Sequence, residues 1–390
     1  MVRTSVLLGK SNGQPIDMKV LICPDKFKGS LSATEVGNAA KMGIKQVFPD
    51  ARFELLPLAD GGEGTLVVLS NLLDLQMVKV SVSDPLFRPV TATYGINGTN
   101  AYIEMARASG FELLSDEERS ATKTSSIGTG ELVQDAIARG AKSIYLFVGG
   151  SATNDGGIGM ASALGFRFLD KEGSEVSPIG SNLSQIETIV NSGMNLDVTL
   201  HLVTDVQNPL LGKNGATFQY GPQKGATESD VQNLEKGMKH LSNLISKQYG
   251  KDVSTTPGSG AAGGMALSVL GLMNGTIQSG IDTILQAVDF EERLKTADLI
   301  ITGEGKMDEQ TLQGKVVHGV VEKAKSFNVP VLVICGDSQL DEHQIASLGV
   351  EQVLKLKTDE LTVDYCLQNA AELITLRLSQ YLKNHQRFKH

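Results

Sequence analysis

The sequence predicts an α/β protein in which a doubly wound parallel-sheet domain carries a second, mixed α/β domain as an insertion. Short apolar strands alternate with amphipathic helices near the start of the chain, and the same alternation returns in the last third. The middle differs, because alternation around Asn97-Gly98 predicts an antiparallel hairpin, which does not belong in a parallel sheet. The predicted boundaries are 1–17 for an N-terminal extension, 18–82 plus 285–390 for the sheet domain, and 83–284 for the insertion.

The elements of the sheet domain can be assigned in order along the chain. Near the start we predict strands at MKVLIC and FELLPLA and helices at SATEVGNAAKMGIKQVF and LVVLSNLL. The last third predicts strands at ADLIITGEG, VPVLVICG and EQVLKL and helices at GKVVHGVVEKAKSF and AELITLRLSQYLKN. Two early strands and three late strands make one five-stranded sheet.

The inserted domain contains other element types besides the hairpin. It has the predicted helix GELVQDAIARG, the strand SIYLFV followed by the helix MASALGF, the strand LHLV, and an apolar helix after PGSGAAGG. We expect the cleft between the two domains to be the default ligand site.

Composition excludes several classes of function. The chain has 390 residues, 41% hydrophobic and 20% charged, which is typical of a soluble globular protein. A net charge of −9 argues against a nucleic-acid partner. No apolar run is long enough for a membrane helix, and we expect no membrane partner. Of the three cysteines, Cys23 and Cys335 lie in apolar runs that predict core positions, which fits a reducing cytoplasm.

Polar, glycine-rich loops follow the predicted strands, namely PDKFKGS, ADGGEGT, VGGSATNDGG, VTDVQNP and TGEG. In open α/β sheets ligands collect at the carboxyl ends of strands, where helix N-termini favour phosphate. The loop from Val148 to Gly159 holds five glycines, and Ser151 and Thr153 add hydroxyl groups. We interpret it as an anion cradle. The alternative is a close helix–strand contact, which needs glycine but not the polar residues.

Carboxylates recur beside these loops, at Asp25, Asp60, Glu63, Asp155, Asp205, Glu304 and Asp308. Surface solvation or helix capping explains many lone carboxylates, but carboxylates beside phosphate-binding glycines indicate Mg²⁺. Cations that could neutralise phosphoryl or carboxylate oxygens are supplied by Lys26, Lys28, Lys306 and Lys315. This combination is what a phosphoryl-transfer enzyme requires.

Other enzyme chemistries lack their motifs. The six histidines do not stand at metal-ligand spacing from a carboxylate or cysteine. The sequence has no GxSxG elbow, no protein-kinase HRD and DFG pair, and no GxGxxG after the first strand.

In their order along the chain, the loops resemble those of the bacterial-type glycerate kinases of the first class. The matching segments are CPDKFKGSLSA, LPLADGGEGT, IEMA with ASG, TSSIGTGEL, VGGSATNDGGIGM, DVQNPLLGKNGA, YGPQKGA, PGSGAAGGM and ITGEGKMDEQTLQGK. Each segment is short, but their shared order from Met18 to Gly336 makes the resemblance specific. It implies a flavodoxin-like domain with an inserted second domain, and ATP-dependent phosphorylation of D-glycerate, usually to 2-phosphoglycerate, with Mg²⁺.

The resemblance also suggests roles for individual residues. Asp60 and Asp205 would bind Mg²⁺ or orient the acceptor hydroxyl, and one of them would be the base. Lys28 would bind the glycerate carboxylate or the moving phosphoryl group. Glu304 and Asp308 would complete the site when the domains close. Phosphate oxygens would be held by Gly149, Gly150, Ser151, Thr153, Asn154 and Gly156.

Some positions depart from the family pattern, and some alternatives stay open. Lys26 stands where Ser is common, Arg107 where Ala is common, Thr204 where Cys or Ala is usual, and Lys306 where Arg is usual. These changes bear on substrate detail more than on the class of reaction. The alternatives are a glycerate 3-kinase, a non-catalytic phosphometabolite sensor, and an NAD-dependent oxidoreductase. The sequence does not fix the oligomeric state, for which a homodimer stays open.

Overall fold

The computed structural model describes residues 18–59, 61–62, 64–192 and 197–385. The predicted extension at 1–17 and the site candidate Asp60 lie outside the described residues. The strands are β1 (Lys19–Ile22), β2 (Arg52–Leu55), β3 (Gln76–Ser83), β4 (Pro89–Asn97), β5 (Asn100–Glu104), β6 (Ser143–Phe147), β7 (Phe166–Leu169), β8 (Thr188–Asn191), β9 (Thr199–Val203), β10 (Thr276–Gln278), β11 (Leu299–Met307), β12 (Val331–Ser338) and β13 (Gln352–Lys355). The α-helices are α1 (Ala33–Lys45), α2 (Thr65–Leu72), α3 (Ala106–Ser109), α4 (Ile127–Ala138), α5 (Ile158–Ala163), α6 (Ala216–Tyr220), α7 (Glu228–Tyr249), α8 (Gly280–Ala287), α9 (Phe290–Leu294), α10 (Val316–Phe327), α11 (Glu342–Leu348), α12 (Val363–Gln368) and α13 (Ala370–Asn384).

The chain forms two compact units, and the first combines the chain up to residue 60 with the chain from residue 281. Its five-stranded sheet has the order β13-β12-β11-β1-β2, and all neighbours are parallel. Numbered within this unit, the order is 2-1-3-4-5, with a topological switch point between β1 and β11. The predicted flavodoxin-like sheet is confirmed.

Apolar strands and capped helices build the core of the first unit. Val20 on β1 and Ile301 on β11 lie in one buried cluster with Ile44 of α1. Helix α1 begins with a capping box in which the Glu35 amide donates to Ser32 Oγ and the Ser32 amide donates to the Glu35 carboxylate. This pairing satisfies two amide groups that the first turn of a helix would otherwise leave without partners.

The second unit, Gly61–Gly280, contains a six-stranded mixed sheet in the order β10-β9-β6-β5-β4-β3. Strands β10, β9, β6 and β5 are parallel, whereas β4 pairs antiparallel with both β5 and β3. The predicted hairpin joins β4 to β5, where Asn97 pairs with Asn100 and Gly98 takes a positive φ of 57°. A separate two-stranded sheet is formed by β7 and β8.

The units divide at 60/61 and 280/281, whereas the sequence pattern predicts 82/83 and 284/285. The first difference has a clear cause. Strand β3 ends at Ser83 and pairs with β4 from Gln76↔Ile96 to Ser83↔Pro89, so it belongs to the mixed sheet. The sequence of β3 alternates between apolar and polar residues, and no hairpin signal precedes it. Its partner strand therefore cannot be predicted from the sequence of β3 alone.

One element of the second unit differs from its predicted type. The apolar segment after PGSGAAGG contains a π-helix at Leu267–Leu272 instead of an α-helix. Just before it, Ala262 and Gly264 have positive φ values of 49° and 83°, and this backbone cannot continue a regular helix.

Among the described residues, none of the helices combines the length and apolar character that a membrane span requires.

Candidate active site

The parallel strands of the second unit end together at one edge of the sheet. Glu104 of β5 pairs in register with Phe147 of β6, which pairs with Val203 of β9, and Val203 pairs with Gln278 of β10. The loops that follow these residues therefore emerge side by side, which is where ligands bind in open α/β sheets.

A pocket of about 140 Å³ lies beside the loop that follows β6. Gly149, Gly150 and Ser151 line it, and both glycines are exposed. Gly150 has a φ of 73°, a conformation that favours glycine. The remaining lining residues are Phe111, Val148, Thr204, Val206, Tyr220, Gln223, Lys224, Ala261 and Ala262. Three of the predicted phosphate contacts are therefore at a pocket surface.

The other three predicted phosphate contacts lie in the interior. Thr153 and Asn154 are fully buried, and the Gly156 amide donates to the Gly263 carbonyl at 3.0 Å. The Asn154 Oδ1 atom accepts a long hydrogen bond of 3.4 Å from Thr217. Within the described chain, Thr153 Oγ1 and Asn154 Nδ2 have no hydrogen-bond partner. These residues support the loop from inside, away from the pocket surface.

Asp155 is a buried cap for two helices. Its Oδ2 atom accepts from the Ser126 amide and hydroxyl, both at 2.8 Å, at the start of α4. It also accepts from the Gly159 amide at 3.3 Å, and its Oδ1 atom accepts from the Gly157 amide at 3.1 Å, at the start of α5. Burial raises the pKa of this carboxyl, while the four hydrogen bonds oppose that shift. Capping of the two helices therefore accounts for the carboxylate at this position in the loop after β6.

Lys224 is a buried lysine that the sequence analysis did not assign. It ends the 3₁₀ turn Pro222–Lys224 and is 2% exposed. Its Nζ donates to Ser151 Oγ at 3.0 Å and to the Thr153 carbonyl at 2.6 Å. Burial lowers the pKa of Lys224 to about 7, while the negative charge of Asp155 opposes the shift. The one signal in the sequence was that Lys224 lies in YGPQKGA, a segment shared with the family that the loops resemble.

Asp205 lies in the loop after β9, next to the pocket residue Thr204. It is half-buried, and its Oδ1 atom accepts from the Gly280 amide at 2.8 Å. Within the described part of the chain, no group of three or more His, Cys, Asp or Glu side chains could hold a metal ion. Mg²⁺ usually needs only one or two protein carboxylates together with substrate phosphates, so the donor chemistry of Asp205 fits it.

Glu104 is a second functional candidate that the sequence analysis left unassigned. It is 4% exposed, and its Oε1 atom accepts from the Gly64 amide at 3.1 Å and the Leu66 amide at 2.9 Å. Its Oε2 atom accepts from Arg107 Nε at 2.9 Å. Glu104 thus anchors the end of the loop DGGEG at the start of α2. Its position at the end of a buried strand was the signal that could have identified it.

In the first unit, carboxylates gather at the switch point between β1 and β11. Glu304 is 5% exposed and accepts a 2.6 Å hydrogen bond from the Thr311 hydroxyl. The same hydroxyl oxygen accepts from the Asp308 amide at 3.0 Å. Burial raises the pKa of Glu304 to about 7, and the charges of Asp25 and Asp308 act in the same direction. Glu304 and Asp308 are therefore brought together, with Thr311 between them.

The loop that carries Lys28 is a neighbour of this group within the first unit. It forms a tight turn in which Phe27 and Leu31 pair, and Lys28 is exposed. A Cβ on Gly305 would lie 3.2 Å from the Lys28 amide nitrogen, so glycine allows β11 to approach this loop closely. Lys306 on β11 is also exposed.

Comparison with known proteins gives a consistent result. The model of the glycerate kinase family matches residues 20–385. A glycerate kinase of Bacillus subtilis (strain 168) is 42% identical over 91% of this chain and 94% of its own length. A glycerate 2-kinase of Escherichia coli (strain K12) is 40% identical over 92% and 95%.

A solved structure agrees with these sequence relatives. A Salmonella typhimurium LT2 protein described as glycerate kinase 2 superimposes with a TM-score of 0.82 at 39% identity, covering 93% of this chain and 97% of that chain. Family match, sequence relatives and fold all agree over nearly the whole chain. The chain therefore belongs to the glycerate kinase family.

Proposed function

We propose that this enzyme transfers the γ-phosphoryl group of ATP to the 2-hydroxyl of D-glycerate, giving 2-phosphoglycerate and ADP. ATP as phosphate donor follows from the kinase family. The choice of the 2-hydroxyl is supported by the relative that is named a glycerate 2-kinase. The observation that carries the site assignment is the pocket lined by Gly149, Gly150 and Ser151, with Asp205 in the adjacent loop.

The pocket residues would hold phosphate oxygens. The exposed backbone at Gly149 and Gly150 can approach an anion closely, and the Ser151 hydroxyl adds a side-chain donor. Thr153, Asn154 and Gly156 would act indirectly, since they are buried beneath the loop. Asp155 would fix the loop by capping α4 and α5.

The transfer step requires a base and a cation near the acceptor. The carboxylate of Asp205 or Asp60 takes the proton of the glycerate hydroxyl, and the hydroxyl oxygen forms a bond to the γ-phosphorus. The bond from that phosphorus to the bridging oxygen breaks, and ADP leaves. Lys28 would bind the glycerate carboxylate or the moving phosphoryl group. Glu304 and Asp308 are further candidates for the site, and both lie in the first unit.

Mg²⁺ is part of the proposal, with Asp205 and Asp60 as its protein ligands. When bound, it would neutralise charge on the phosphate oxygens. We expect EDTA to abolish turnover and excess Mg²⁺ to restore it. Full activity in EDTA after exhaustive dialysis would exclude the metal.

We also propose a reducing cytoplasm as the compartment, since Cys23, Cys335 and Cys366 are free and buried.

A ³¹P NMR time course with purified protein, MgATP and D-glycerate tests the reaction, with L-glycerate as the matched control. We expect a new monoester signal that coincides with authentic 2-phosphoglycerate. A 3-phosphoglycerate signal would support glycerate kinase activity but overturn the assignment of the 2-hydroxyl as the phosphorylated position. Intact ATP with both enantiomers, from folded protein that binds nucleotide, would favour a sensor.

A further inference from the structure

Lys224 has bonding capacity that its protein contacts leave unused. A lysine ammonium group carries three N–H donors. Two of them are bonded, to Ser151 Oγ at 3.0 Å and to the Thr153 carbonyl at 2.6 Å. The third has no hydrogen-bond partner among the described residues, and Lys224 itself lines the pocket beside Gly149 and Gly150.

The position of this lysine is fixed by the backbone around it. Lys224 ends a short turn in which its amide donates to the Gly221 carbonyl at 2.9 Å. The next residue, Gly225, has a φ of 83°, and a Cβ there would lie 2.2 Å from the Arg119 carbonyl oxygen. The backbone at Lys224 is therefore held by a turn hydrogen bond and by close packing at Gly225, and the two hydrogen bonds of Nζ hold the ammonium group.

We propose that Lys224 is a phosphate-contacting residue, which donates its third N–H to a phosphoryl oxygen of ATP while its other two N–H groups hold Ser151 and the loop. This inference rests on the proposed role of the loop as the phosphate site, and it adds the cation that the loop itself lacks. Gly149, Gly150 and Ser151 offer only neutral donors, whereas charge-assisted hydrogen bonds to phosphate are about twice as strong.

The cost of burying the ammonium group supports a role in ligand binding. A neutral amide could make the same two internal hydrogen bonds without the cost of desolvating a charge. The lowered pKa of Lys224, about 7, reflects that cost. A phosphoryl anion in the pocket would favour the charged form of the lysine and so recover part of it.

The test is ATP affinity measured by calorimetry in the absence of D-glycerate, with Lys224→Gln as the main variant. The glutamine amide has two N–H donors, enough for Ser151 Oγ and the Thr153 carbonyl, but it has no charge and no third donor. We expect Lys224→Gln to keep its thermal midpoint near that of the wild type and to bind ATP about tenfold to a hundredfold more weakly. Lys236→Met, which changes an exposed lysine of the same unit, should bind ATP like the wild type.

The outcomes separate this inference from the proposed function. Wild-type affinity in folded Lys224→Gln would overturn it and leave Lys224 with a purely internal role. If the glutamine variant does not fold, Lys224→Met at similar volume takes its place, and wild-type ATP affinity in that variant overturns the inference equally. Absence of ATP binding by the wild type would instead refute the phosphate site itself. Weak ATP binding by both Lys224 variants supports the inference even if the acceptor proves to be another hydroxy acid.

Discussion

At the scale of single residues, the chemistry depends on how burial and hydrogen bonding change the ordinary properties of side chains. Glu304 is an example, because it is 5% exposed and its pKa is raised from 4.5 to about 7. Burial disfavours its charged form, and the hydrogen bond from Thr311 offsets only part of that cost. The carboxyl group therefore titrates close to neutral pH.

The raised pKa of Glu304 predicts a pH-dependent contribution to stability. Between pH 4.5 and 7 the unfolded chain loses this proton while the folded chain keeps it, so stability falls as the pH rises and levels off above 7. Glu304→Gln stays neutral and should not show this fall. Urea unfolding at pH 5 and pH 8 should show the wild type losing up to about 3 kcal/mol relative to the variant. Glu309→Gln, at an exposed neighbour, should show the same pH dependence of the free energy of unfolding as the wild type. The prediction would be contradicted if Glu304→Gln lost as much stability as the wild type between pH 5 and pH 8.

The role of Asp205 can be tested without disturbing its local structure. In Asp205→Asn the amide oxygen can still accept from the Gly280 amide, so we expect a free energy of unfolding close to that of the wild type. Loss of the carboxylate should lower kcat by about a hundredfold or more, because the base or metal ligand is gone. Asp197→Asn, at a side chain 87% exposed, is the control and should leave kcat unchanged. Activity near the wild-type level in Asp205→Asn would remove this residue from both roles.

At the scale of elements, the glycine-rich loop is organised by the helices that it joins. One carboxylate, Asp155, accepts hydrogen bonds at the starts of α4 and α5, and Ser126 Oγ in turn accepts from the Met160 amide at 3.0 Å. The loop between β6 and α5 is thus tied to the neighbouring helix by a buried network. This arrangement holds Gly149 and Gly150 at the surface while the next residues turn inward.

Replacing the shared cap should destabilise the second unit. An asparagine has one acceptor oxygen, so Asp155→Asn must leave at least one buried donor without a partner and turn an NH₂ group towards others. We expect the free energy of unfolding to fall by about 2–4 kcal/mol, measured by chemical denaturation. Asp252→Asn, at an exposed carboxylate that accepts from the Ser254 amide, should cost less than about 1 kcal/mol. Equal effects of the two changes would show that the buried network contributes little.

At the scale of the whole molecule, the chain folds into two units, each with its own buried core. A buried cluster of the second unit runs from Val78 to Met273 and includes no described residue of the first unit. The two ends of the second unit are adjacent, since a Cβ on Gly61 would lie 2.7 Å from Gly280 Cα. These are the properties of a domain inserted into a loop of another domain.

The isolated fragment 61–280 should therefore fold by itself. We expect one cooperative thermal transition and well-dispersed amide signals in an NMR spectrum, because its sheet and core are complete. As the matched experiment, replacing residues 61–280 by a short Gly-Ser linker should leave a folded five-stranded domain. A fragment with helical content but no cooperative transition would mean that the second unit depends on the first.

Much of the fold was predictable from local patterns. The hydrophobic strands and the Asn97-Gly98 turn are each set by a few neighbouring residues, and they appear where the sequence places them. The partner of β3 was not predictable, because strand pairing depends on residues distant in the chain. The π-helix at Leu267–Leu272 was missed for a similar reason, since its apolar sequence fits an α-helix equally well.

The sequence by itself determined the fold class, the glycine-rich loops at the strand ends and the family, since periodicity and ordered motifs need no coordinates. Only the tertiary structure decided which residues of one loop are exposed at a pocket and which are buried, as Gly149 and Asn154 illustrate. It also decided that Asp155 is a cap and that Lys224, 73 residues from Ser151, bonds to it. The physical reason is that burial and hydrogen-bond partners arise from contacts between distant segments, which no local pattern encodes.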